Sequence, residues 1–408
     1  MSTSDSHALE IHAGPVALRH IREHGLAGAD IRLVPAAAGG PKGLILNALD
    51  RFIFGQLLAG PGPSVHLVGA SIGAWRMATA CMADVDAALE RLGIDYIEQR
   101  YEHAPGRLPE PAQTTQAFGA KLTQHFGGRE AEILSHPRFR LHVLASRGRR
   151  LLQHIGVRHQ RPERRSALVL GFAAAYAANS VSRRALGGWL ERVVFSDSRE
   201  GLPLALDDYT TREVPLSAAN LQPAVLASCS IPFMLRAVRN IPGAPEGAYW
   251  DGGLTDYHLH WPYTGMNKGR VGDGPARADD PPGPAEPASM AGMQDEVGQR
   301  SGRAALVLYP HFQPRLVPGW LDKAHTRRHG HTPGLDNLVL LCPSRHWIAG
   351  LPGGKLPDRD DFKRLIDDDD TRIALWRQGL AESRRLADEF ADWLARGTPV
   401  DRVLPLVA

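Results

Sequence analysis

Hydrophobic residues run through this chain in short blocks of two textures. IRLVPAAA (31–38) is a continuous apolar run that enters a glycine turn, the pattern of a strand covered on both faces. LILNALDRFIFGQLL (44–58) is apolar around most of a helical circumference. Asn47, Asp50 and Arg51 form its narrow polar stripe, which predicts a largely buried helix. The PGP at 61–63 ends that pattern. SVHLV (64–68) predicts the next strand and 72–82 the next helix. Strand, helix, strand, helix predicts an α/β fold, a parallel sheet with helices on both faces. Further strands are predicted at RLHVLAS (140–146), RVVFSD (192–197), ALVLYPH (305–311) and LDNLVLLCP (335–343). Near the end, Ile373, Trp376, Leu380, Leu386, Phe390 and Trp393 recur at helical spacing. They predict one long amphipathic helix, closed by Gly397 and Pro399.

Between 264 and 303 the chain turns rich in Gly, Pro, Ala, Asp and Arg and loses its large apolar residues, which predicts a mobile insertion or lid. The expected organisation is a catalytic unit over 20–345 that carries this insertion, then a C-terminal extension over 346–408. With 43% hydrophobic residues in 408, the chain has a substantial core and is not globally disordered. A net charge of +3 gives no argument for nucleic acid. Cys81, Cys229 and Cys342 are far apart and cannot all pair, which fits a reducing compartment; no CxxC spacing marks a metal site. No secretory leader and no run of about 18 apolar residues is seen, so a soluble, cytoplasmic protein is expected.

Candidate chemistry gathers at three glycine-rich points. In GASIG, Ser71 stands between Gly69 and Gly73 where strand pattern gives way to helix pattern. That is the context of a nucleophile elbow, with the helix dipole and free N–H groups aimed at the serine; an ordinary turn serine is the alternative. In AAGGPKG, Gly39 and Gly40 let backbone N–H groups approach a ligand. One strand–helix–strand unit separates them from Ser71, so both loops belong at the same carboxyl edge of the sheet, where an oxyanion hole would form. Lys42 is followed by Gly43, so the phosphate-binding pattern GxxxxGK[ST] is absent. In AYWDGGLTDYH, Asp251 precedes Gly252 and Gly253 and is a candidate proton acceptor, or else a common turn.

GGPKG, GASIG and DGG, in that order, resemble the patatin-like phospholipases, and AVLASCSIPFML (224–235) resembles the Ala-Ser-x-x-x-Pro segment that precedes the aspartate in that family. The resemblance spans 31–256. It implies a three-layer α/β/α fold with a mainly parallel sheet and a Ser–Asp dyad that cleaves lipid acyl esters without a catalytic histidine. It casts Ser71 as nucleophile and Asp251 as base, with Gly39, Gly40 and Ile72 as oxyanion donors and Lys42 at the family's basic position. No cofactor and no metal is implied. Ala38 stands where the family's first glycine would be, and Tyr257 and Leu259 stand where it often has Asn and Pro. Two rival readings are a Ser–Asp–His hydrolase, using one of His258, His260, His311 or His346, and a non-catalytic lipid-binding scaffold. The basic stretch 146–165 is either a docking surface for anionic membranes or a solvated face. Asp367–Asp370 reads as helix N-terminal charge, and His311, His325, His329, His331 and His346 read as surface residues.

Overall fold

The computed structural model describes residues 7–153, 165–267 and 303–407. The chain is α/β, built on a large, mostly parallel mixed sheet of eleven strands. In chain order these are β1 (Leu9–Ala13), β2 (Ile31–Ala36), β3 (Val65–Ala70), β4 (Phe139–Gly148), β5 (Leu190–Ser196), β6 (Thr211–Pro215), β7 (Val238–Arg239), β8 (Ala248–Asp251), β9 (Leu306–Pro310), β10 (Leu338–Pro343) and β11 (Val403–Pro405). The spatial order is β11-β1-β10-β9-β2-β3-β4-β5-β6, with β8 pairing both β4 and β7. The middle of the sheet, from β10 to β4, is parallel throughout. Its strands are buried along nearly their whole length, which is why they read as unbroken apolar runs.

One register decides where the chemistry lies. Along one edge of β4, β3 pairs parallel up to Ala70↔Leu144. At the next residue β8 takes over, antiparallel, with Asp251↔Ala145. Two strands running toward each other therefore end nose to nose beside β4, and the residue after Ala70 meets the last residue of β8.

The segment 44–58 is largely buried, as expected, and of its narrow polar stripe Asn47 and Asp50 lie inside while half-exposed Arg51 pairs with Asp86 at 2.7 Å. Asn47 donates from Nδ2 to the Leu89 carbonyl at 2.7 Å, and the Asp50 carboxylate takes two bonds from Arg76 at 2.6 and 2.7 Å. The segment is helical with changing pitch: a 3₁₀ stretch Gly40–Leu46, an α-helix Asn47–Phe52 and a π stretch Ile53–Leu57. The single C-terminal helix expected is two, Asp369–Glu382 and Arg384–Ala395, parted at Ser383, whose hydroxyl donates to the Leu380 carbonyl. Leu386, Phe390 and Trp393 join the main core, and β11 pairs with β1, so this segment belongs to the same sheet and core. Of the 264–303 stretch, 268–302 lies outside the described residues; Arg303 pairs with the buried Asp30 at 2.8 Å. Likewise 154–164 lies outside; in the preceding part Arg147 pairs with Glu191 at 2.6 Å and Arg149 donates to the Gly187 carbonyl at 2.7 Å. Among the described residues no helix is long and apolar enough to cross a membrane.

Candidate active site

Ser71 caps the helix Ile72–Ala80 with φ 57° and ψ −128°, a conformation rare for a residue bearing Cβ and costing on the order of 1–3 kcal/mol. Its glycine neighbours are dictated by close approach. A Cβ on Gly69 would lie 2.4 Å from the Gly73 carbonyl oxygen, and one on Gly73 would lie 2.1 Å from the Ala36 carbonyl oxygen. The elbow is held from a third direction by Ser228, whose Oγ accepts the Ser71 N–H at 2.8 Å. Ser228 lies in the segment that resembled the Ala-Ser-x-x-x-Pro motif. The helix that follows Ser71 is itself anchored by the buried Arg76–Asp50 pair.

The Asp251 carboxylate lies beside the Ser71 side chain, which favours its anion, and accepts a hydrogen bond from the Gly253 N–H at 2.7 Å. Both hold it as an anion, as do Arg359 and Lys323 at longer range, yet burial outweighs them and pushes its pKa up to about 6. The turn after it is packed without slack. A Cβ on Gly252 would meet the Leu144 carbonyl oxygen at 2.4 Å, and one on Gly253 would meet the Ala38 Cβ at 2.6 Å. Further along the same loop, buried Asp256 takes two bonds from buried Arg192 at 2.7 Å each and one from the Trp261 indole at 2.7 Å. This network fixes the path of the loop that carries Asp251.

Gly39 and Gly40 stand opposite. A Cβ on Gly39 would strike the Phe312 ring at 2.6 Å, and Gly40 has φ +56°. Ala38 donates its N–H to the Tyr257 carbonyl at 2.9 Å and so is not free to serve an oxyanion. The N–H groups of Gly39, Gly40 and Ile72 have no hydrogen-bond acceptor among the described residues. Gly43 sits against Ile72, where a Cβ would lie 3.2 Å from its Cγ2. Lys42 points its Nζ toward the Phe312 ring, 5.7 Å from the centroid.

Ser71 opens onto a cleft with two arms that share Gly40, Ser71, Ile231 and Arg359. The larger encloses about 1020 Å³ of empty space, part of it open to solvent, and its walls include Leu108, Phe118, Phe233, Met234, Leu235 and Phe362. The smaller, about 320 Å³, holds Asp251 and is walled by Gly39, Gly253, Tyr257 and Trp320.

No histidine among the described residues hydrogen-bonds to Ser71 or Asp251. His258 and His311 are fully buried, and burial holds both well below the usual imidazole range. His311 and His329 are therefore core residues rather than surface ones; His346 is exposed. One group of potential metal ligands, Glu10, His12 and Cys342, comes together across β1 and β10 and lines neither arm. Cys81, Cys229 and Cys342 are free and buried. Asp368 caps the helix Asp369–Glu382 by accepting the Thr371 N–H at 3.0 Å. Sequence reasoning did not single out Arg359, Lys323, Trp320 or Asp256, which come from distant parts of the chain without a local motif.

Neither a scan against family models nor a search of curated proteins finds a match to this chain.

Proposed function

We propose that the chain is a serine acyl hydrolase of the patatin-like type, with a three-layer α/β/α fold, that cleaves lipid acyl esters through a Ser71–Asp251 dyad. The observation that carries the reading is that Ser71, held in a strained elbow, stands beside a buried carboxylate whose pKa burial raises to about 6. An ordinary aspartate is too weak a base for a serine hydroxyl; one pushed up to about 6 is stronger and still mostly ionised at neutral pH.

The acyl chain lies in the larger, apolar arm. Ser71 Oγ attacks the ester carbonyl carbon while Asp251 takes its proton. The N–H groups of Gly39, Gly40 and Ile72 receive the oxyanion. Asp251 then returns the proton to the departing alcohol oxygen, leaving an acyl-enzyme on Ser71. Water attacks that ester, Asp251 takes the proton of water, and the serine recovers it as the acid leaves. The dyad needs no metal or cofactor for these steps. That no histidine among the described residues hydrogen-bonds to Ser71 or Asp251 favours this reading over a Ser–Asp–His triad.

Turnover of phospholipids, glycerides and short acyl esters by wild type and Ser71→Ala tests it. Hydrolysis of at least one ester class, lost in a folded Ser71→Ala protein, is expected. No turnover of any ester by wild type leaves the scaffold reading, and loss of turnover in a folded variant of a single histidine would favour the triad.

A further inference from the structure

Away from the cleft, β11, β1 and β10 lie side by side, so distant parts of the chain meet at one side of the sheet. Glu10 and His12 are two residues apart on β1, so their side chains leave the same face. Cys342 on β10 is the register partner of Glu10 and shares that face. Strand pairing therefore delivers a carboxylate, an imidazole and a thiol to one point, with their donor atoms all within 4.8 Å of one another. Glu10 Oε2 stands 3.0 Å from His12 Nε2 and 3.9 Å from Cys342 Sγ. His12 and Cys342 are buried, while Glu10 is partly exposed. The far nitrogen of His12 fixes the ring: Nδ1 lies 2.9 Å from the Pro405 carbonyl oxygen on β11. A carbonyl only accepts, so Nδ1 carries the proton and donates. In the neutral ring Nε2 then turns a lone pair toward the Glu10 carboxylate. Two acceptors at 3.0 Å repel unless a cation stands between them, either a proton on the ring or a metal ion bound by both. A proton satisfies that pair alone and leaves Cys342 a bystander. A metal ion uses all three groups.

We propose that Glu10, His12 and Cys342 bind one zinc ion, with a water in the fourth position, and that the ion fastens β11 and β1 to β10. A thiolate, an imidazole and a carboxylate are the donors zinc takes, and no harder cation would choose the sulfur. Cys342 gives its thiol proton to solvent on binding, and thiolate and carboxylate together then cancel both charges of the ion. Zinc bonds of about 2.0–2.1 Å to N and O and about 2.3 Å to S, at tetrahedral angles, put donor atoms about 3.3–3.6 Å apart. The separations of 3.0 and 3.9 Å bracket that range, so small side-chain rotations close the site. The bond from Nδ1 to Pro405 is the contact by which a metal-bound histidine holds its tautomer, and here it also ties the ion to β11. Glu10 reaches the surface and gives the ion a way in. None of the three residues lines either arm of the cleft, so the inference stands apart from the acyl-hydrolase reading.

The test uses the whole chain, stripped with a chelator and kept reduced by a phosphine. Equilibrium dialysis against zinc, read by elemental analysis, should find one ion per chain. Cobalt in its place should give a thiolate charge-transfer band and the strong visible bands of a tetrahedral ion. Cys342→Ser should abolish the charge-transfer band. Glu10→Gln, His12→Gln and Cys342→Ser should each weaken zinc binding by at least about 10–100-fold, the cost elsewhere of losing a group that only supports a ligand. Zinc should raise the melting temperature of wild type and leave that of the variants unchanged. Melting curves without metal check that the variants fold. Glu10, whose side chain reaches the surface, is the substitution that disturbs the core least, so Glu10→Gln decides the matter if the other two unfold. A folded wild-type protein that binds no zinc at micromolar concentration would overturn the proposal and leave a histidine–carboxylate ion pair. So would zinc held equally well by folded Glu10→Gln, or cobalt bound without a thiolate band, either of which puts the ion on other residues.

Discussion

Asp251→Asn should stop catalysis and stabilise the protein, and the second effect should depend on pH. The folded carboxyl has a pKa of about 6 because burial favours its neutral form; in the unfolded chain it is about 3.8. A raised folded value means that the fold is favoured when the proton is bound. The cost of ionising inside the fold is absent below about pH 3.8, grows between 3.8 and 6, and is complete above 6. The gap is roughly two decades at about 1.36 kcal/mol each, so the full cost is about 3 kcal/mol. Asparagine keeps the shape and still accepts from the Gly253 N–H, but never carries the buried charge. An unfolding entropy of about 2.1 cal/mol/K per residue, over 408 residues, makes each kcal/mol worth a little over 1 °C. Asp251→Asn should therefore melt about 3–4 °C above wild type at pH 8, and only about 1 °C above it at pH 4.5. Differential scanning calorimetry of both proteins at the two pH values, alongside ester turnover, is the assay. An Asp251→Asn protein that melts below wild type at pH 8, or a gap that ignores pH, would refute the claim that Asp251 is a desolvated, ionised base.

Three further outcomes follow from the same geometry. The pH profile of kcat/KM should rise to a plateau through a single ionisation near pH 6, as Asp251 loses its proton; stopped assays from pH 4.5 to 8 would detect any second group. Gly40→Val should cut ester turnover by about 10² or more, because it constrains a φ of +56° and crowds an oxyanion donor; melting temperature and vesicle binding on the same preparation separate a lost hole from a lost fold. Arg192→Leu should destabilise by about 3–5 kcal/mol, since it strips buried Asp256 of its main charge partner; the shift in urea midpoint measures it.

The parallel centre of the sheet was legible because its strands are buried on both faces and their apolar residues run on without a break. β1 and β11 were not. They are short, and β1 joins the sheet by pairing with β10, and β11 by pairing with β1, partners from the opposite end of the chain. The largely buried helix at 44–58 was legible, but what satisfies Asn47 and Asp50 was not, because only the fold brings Leu89 and Arg76 to them. Ser71, Gly39 and Gly40 were visible as local patterns, since a tight turn leaves its mark on its own neighbours. Asp251 read as an ordinary turn when taken alone. Its place beside Ser71 comes from β3 and β8 sharing one edge of β4, a pairing that no local pattern encodes. Lys323 and Arg359 had no signal at all, because only the fold brings them near Asp251.

The central claim is that Ser71 is a nucleophile activated by Asp251. Mass spectrometry of the intact protein after exposure to a fluorophosphonate tests it most directly. One adduct on wild type, mapped to Ser71, absent from Ser71→Ala and formed far more slowly by Asp251→Asn, is the predicted result. A folded wild-type protein that takes no adduct, or an adduct that persists in Ser71→Ala, would contradict it.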